Sequence, residues 1–158
     1  MIELKKVLAT HGFTDVKTLL NSGNVVFGSN EKDGNLLKKN IEQILERAFG
    51  FPIPVLIRMH KEIQEMVNSD PFKAIMITPE TRLYVTFLSD TPHLTREIPY
   101  TSPDKLLRVL QVTHDTVFSV LVLSKEIDTT KMMALWEKEL GKGITTRNWN
   151  TVVKIASL

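Results

Sequence analysis

Cysteine is absent from this chain. Its absence removes a disulfide framework, a thiol nucleophile and any thiolate metal site, and it suits a reducing compartment. Aromatic residues make up only 7%, with no cluster of the kind on which sheet-based modules stack single-stranded bases, so nucleic acid is not the favoured partner. Long apolar runs are also missing: none approaches the roughly 18 residues that a membrane helix needs. The opening Met1-Ile2-Glu3-Leu4-Lys5-Lys6 lacks the apolar core and cleavage site of a secretory leader. The expectation is a cytoplasmic protein with no membrane partner. An excess of one charge is lacking too, since 20 basic against 18 acidic residues leave a formal net charge of +2. That is too little to imply a polyanion unless the positive charges cluster. No acidic residue follows Glu139, whereas Lys142, Arg147 and Lys154 do, so the carboxyl end is a weak basic patch.

Catalytic signatures are equally scarce. The 4 histidines, His11, His60, His93 and His114, are scattered without H-E-x-x-H spacing, so no metal site is expected and no cofactor is implied. Glu62 with Glu65, and Glu137 with Glu139, sit beside Lys61 and Lys138 and read as solvated faces. G-x-S-x-G, G-x-G-x-x-G and Walker-type loops do not occur. These patterns assign no catalytic residue.

What is present is a chain of 158 residues, 42% hydrophobic and 24% charged, enough to bury a core. Leu4, Val7 and Leu8 at helical spacing, closed by Gly12, predict a first short helix. The runs at 16–20 and 25–27 flank Asn21-Ser22-Gly23-Asn24, a tight β-hairpin in which glycine and asparagine accept positive φ. Leu37, Ile41, Ile44, Leu45 and Ala48 form one apolar stripe, with Asn30 or Asp33 as cap and Gly50 and Pro52 as stop. Val55-Leu56-Ile57 then reads as a short buried strand. The order αββαβ resembles a ferredoxin-like βαββαβ unit whose first strand would have to precede Met1.

Ile63, Met66 and Val67 mark a further short helix, and residues 70–80 read as a connector. Leu83, Val85 and Phe87 alternate along a strand. The β-rich runs at 109–112 and 117–123 around Thr113-His114-Asp115-Thr116 predict a hairpin, in preference to a helix opening at Ser102-Pro103-Asp104. Asp128 or Thr129 caps a helix carrying Met132, Met133, Leu135, Trp136 and Leu140, which Gly141 and Gly143 end. Trp149, Val152, Val153 and Ala156 give a last helix, capped by Thr145 or Thr146. The fold class is therefore α+β: a ferredoxin-like half at 1–69, missing its first strand, and a second half at 70–158 ending in a helix, both with antiparallel sheets and packed as one unit.

Two stretches, GFTDVKTLLNSGNVVF at 12–27 and TTRNWNTVVKIASL at 145–158, resemble the DUF1697 family, and Leu83-Tyr84-Val85-Thr86-Phe87-Leu88 sits where that family has its VTFL strand. The family has no assigned biochemical activity to carry over. Its members usually begin with a strand and turn similar to ALLRGINVGG, so the resemblance implies an unfilled sheet position in this chain. Such a position leaves backbone groups open to pairing with a second copy, a homodimer through an unpaired strand edge. Where relatives have a turn similar to RSKL, this chain has Asp128-Thr129-Thr130-Lys131-Met132 and keeps only Lys131.

The polar stretch TTRNWNT at 145–151 is the foremost candidate site. A helix amino end presents unpaired N–H groups and partial positive charge, and Arg147 offers a bidentate fork for phosphate or carboxylate. Thr145, Thr146, Arg147 and Asn148, joined by Asn21, Ser22 and Asn24 of the hairpin turn and by Lys131, are the candidate ligand-binding residues. The bland reading gives Thr146 the helix cap, Trp149 the core anchor, Arg147 a pairing with a neighbouring carboxylate and the hairpin residues a turn. The function expected is a non-catalytic module for a small anionic ligand or nucleotide. The alternatives are an enzyme acting on a small anionic substrate and an interaction protein that pairs through the open edge.

Overall fold

The computed structural model describes residues 1–19, 23–94 and 97–158. Their contacts divide the chain into two units, Met1–Glu65 with Val153–Leu158, and Met66–Val152.

In the first unit α1 (Ile2–Thr10) buries Val7 and Leu8. It closes with the His11 and Phe13 amides donating to Leu8 O, and Gly12 takes φ +88°. β1 (Thr14–Leu19) and β2 (Asn24–Gly28) form an antiparallel pair with Lys17 opposite Val26 and Leu19 opposite Asn24. The left-handed Gly23 (φ +73°) leads into β2, as the hairpin reading requires. α2 (Gly34–Phe49) starts where one Asp33 carboxylate oxygen accepts from the Asn35 and Leu36 amides at 2.8 and 3.1 Å, and it ends at the left-handed Gly50. Its stripe of Leu37, Ile41, Ile44 and Leu45 packs with Val7, Leu8, Phe13 and Val16 into one core. Asp33→Ala is expected to cost about 1 kcal/mol, read as a lower denaturation midpoint, because it strands two amides of the first turn.

The strand expected at Val55-Leu56-Ile57 is absent. Val55 and Ile57 are half-buried against the core, as a strand's side chains would be. However, Pro52 and Pro54 supply no backbone donor, and the Val55 amide donates to the Glu42 carboxylate at 2.9 Å rather than to a neighbouring strand. The order in this region is α1-β1-β2-α2-α3, with α3 at His60–Ser69. The end of the chain joins this unit: Lys17 Nζ donates to Leu158 O, and His60 Nε2 lies 3.0 Å from Ile155 O.

The second unit holds a five-stranded antiparallel sheet in the order β4-β5-β6-β3-β7, built from β3 (Thr81–Leu88), β4 (Tyr100–Thr101), β5 (Leu107–Val112), β6 (Thr116–Val122) and β7 (Ile144–Asn148). The hairpin predicted over 109–123 is β5-β6, its turn closed by the Thr113 amide donating to Thr116 O at 2.8 Å. α4 (Thr129–Leu140) is capped by Asp128, which accepts from the Lys131 amide. On that helix Met132 and Trp136 pack on Tyr84, Leu88, Leu107, Val109, Val117 and Leu121. Alternation along each strand turns Val85, Phe118 and Val120 to the opposite face, where Phe72 makes edge-on ring contacts with Phe118 and Trp149.

Candidate functional site

The stretch expected to start the last helix is instead β7, and only its end meets that helix, α5 (Trp149–Ala156). β7 pairs with β3 through Asn148 opposite Tyr84, Arg147 opposite Val85, Thr146 opposite Thr86, and Thr145 opposite Phe87. Thr145 and Thr146 therefore cap nothing. The cap is Asn148, whose Oδ1 accepts from both the amide and the hydroxyl of Thr151 at 2.9 Å. The physical reason is tertiary: three β-favouring residues in a row, Ile144, Thr145 and Thr146, find the unoccupied side of β3, and ladder bonds outweigh an extra helical turn.

A strand sends successive side chains to opposite faces, so the candidate residues separate. Thr145 and Arg147 lie on the Val85 face. There Arg147 Nη1 donates to Thr145 Oγ1 at 2.6 Å and to Thr146 O at 2.9 Å. Burial lowers the pKa of this guanidinium from its ordinary value, because removal from water disfavours the charged form. Thr146 lies on the α4 side, its hydroxyl 2.9 Å from that of the fully buried Thr86. Asn148 is spent on the cap.

Lys131 belongs to α4, which packs on the face away from Arg147, and its Nζ donates to Glu126 O at 2.6 Å. Asn24 is in the first unit, where it is buried and donates through Nδ2 to Leu19 O at 3.3 Å, a turn-closing role. Asn21 and Ser22 lie outside the described residues. Among the described candidates of the second unit, the structure brings together the side chains of Thr145 and Arg147.

Sequence reasoning missed a hollow of about 320 Å³ at the end of β3, lined by Asp90, His93, Glu139 and Lys142 among others. The signal was Gly143. A Cβ there would sit 2.1 Å from Ser89 Oγ, so the backbone comes close only because glycine stands at this position. Among the described residues no group of three or more His, Asp or Glu side chains could hold a metal ion, and no helix is long and apolar enough to cross a membrane.

Helices and antiparallel sheets in this arrangement define an α+β protein. A solved structure with the same fold is that of the conserved bacterial protein SP0830 from Streptococcus pneumoniae. It has a TM-score of 0.62 and 19% sequence identity, over 99% of this chain and 87% of that one. The sequence profile of the family "Protein of unknown function (DUF1697)" matches residues 1–118, and the chain belongs to that family. The match takes in α1 through the start of β6 and stops before β7. No curated protein matches.

Proposed function

We propose that the protein is a non-catalytic binding module for a small anionic ligand, free or as the phosphate of a nucleotide, held by Arg147 with the Thr145 hydroxyl beside it. The observation that supports this reading is the burial of the Arg147 guanidinium next to a hydroxyl on one sheet face. A charge drawn out of water is stabilised more by an incoming anion than an exposed one is, since the local dielectric is lower. The planar fork suits phosphate and carboxylate oxygens. Of the motif, the proposed anion site takes in Thr145 and Arg147 alone, and it rests on the strand rather than on the helix end. A cytoplasmic setting agrees with a chain that contains no cysteine.

Calorimetric titration with inorganic phosphate and with ADP tests the proposal. Arg147→Ala is expected to weaken the affinity about tenfold or more, the scale of one charge-assisted hydrogen bond. Arg147→Lys is expected to recover only part of it, because the fork is lost. Equal affinities in the wild-type and alanine proteins, with circular dichroism confirming that both are folded, would exclude this site.

A homodimer joined through a sheet edge is a second reading; the edge that supports it is that of β7, last in the strand order of the second unit, rather than the unfilled first-half position expected from the sequence. Sedimentation across a hundredfold range of concentration decides it: a single monomeric species throughout rules the dimer out.

A further inference from the structure

We propose that a resident water molecule is buried between α4 and the five-stranded sheet, accepting the Trp136 indole N–H and hydrogen-bonding the Ser119 hydroxyl. Both side chains have 0% exposure. Among the described residues, neither Trp136 Nε1 nor Ser119 Oγ has a hydrogen-bond partner. Native proteins leave few such groups unsatisfied, and each one calls for an explanation. Two of them in one layer point to a shared partner.

The layer is the same for both. Ser119 is flanked along β6 by Val117 and Leu121, and across the sheet it stands between Val109 and Tyr84. All four of those neighbours belong to the apolar cluster that contains Trp136. Alternation along β6 therefore turns the Ser119 hydroxyl into the layer that Trp136 fills.

The chemistry of the missing partner is constrained from both sides. An indole N–H only donates, so the partner must accept, whereas a hydroxyl both donates and accepts. Water does both. A stably buried water needs two to four polar contacts, and the same sheet face offers a third, the hydroxyl pair of Thr86 and Thr146 at 2.9 Å. Val109, Val117, Leu121 and Met132 around it all have 0% exposure, which leaves no entrance for a larger ligand. One buried water per about 27 residues is usual for globular proteins, so such a site fits a unit of this size.

A crystal structure of the full chain at about 1.5 Å is the direct test. The expected result is an isolated density peak within about 3.2 Å of both Trp136 Nε1 and Ser119 Oγ, lost or strongly reduced in Ser119→Ala. The wild-type protein gives a second reading in solution that needs no substitution. With two tryptophans in the chain, and Trp149→Phe to assign the pair, the Trp136 indole proton is expected to show a long-lived water cross-peak. A wild-type map with no peak there, or an undiminished peak in Ser119→Ala, overturns the proposal. So does an indole N–H found bonded to a protein oxygen.

Discussion

Trp136→Ala is expected to lower the free energy of unfolding by about 3–5 kcal/mol, the usual cost of removing a fully buried aromatic side chain. Trp136 is fully buried, and it is the largest side chain in the layer between α4 and the sheet. Its removal deletes the transfer energy of an indole and leaves a cavity walled by Val109, Val117 and Leu121. Those residues stand on paired strands and cannot move inward without breaking ladder bonds, so collapse is restricted and the cost falls at the upper end of the range. Urea denaturation is the measurement. The midpoint is expected to fall sharply with little change in slope, and Trp136→Phe is expected to recover more than half of the loss. A shift under about 1 kcal/mol in the alanine protein would mean that α4 is not held by this residue.

Leu8→Ala is the counterpart in the first unit, with an expected loss of about 2–5 kcal/mol. α1 is a nine-residue helix whose buried residues are Val7 and Leu8. Helices of fewer than about 12 residues are marginal in water, so α1 exists because it docks. Leu8 is 2% exposed, and its carbonyl also accepts the amides of His11 and Phe13 that close the helix. Truncating the side chain loosens the docking and the closure together. Beyond the lower midpoint, amide hydrogen exchange in α1 is expected to accelerate more than tenfold while α2 keeps its cap-to-cap protection. Exchange in α1 that is unchanged would show that Val7 and the backbone suffice to hold it.

Elements with their own punctuation were legible in the sequence. α2 carries a complete set of signals: an aspartate that caps, an apolar stripe of one period and a left-handed glycine. The β5-β6 hairpin was readable because β-branched residues run up to both sides of a polar turn. β7 was not, because its identity depends on β3, some 60 residues away in the chain. After Ile144 its residues are all polar, so no apolar alternation marks it. Val55-Leu56-Ile57 failed in the opposite sense. Its composition favours a strand, but strand formation needs a neighbour to accept and donate, and Glu42 supplied the bond instead. The candidate site followed the same logic. Arg147 could be picked out as a residue, yet whether Thr145, Thr146 or Asn148 accompanies it depends on the two-residue repeat of a strand rather than the near-fourfold repeat of a helix. β4, two residues long, left no periodicity to read.

The passage from β7 to α5 has no linker: Asn148 is both the last ladder residue of the strand and the cap of the helix. The two elements are thereby geared to each other. Inserting or deleting one residue at this junction would exchange the strand's inward and outward side chains, or else turn the helix by about 100° about its own axis. Either outcome swings Trp149 away from Phe72. The number of residues at this corner is therefore constrained by both elements at once.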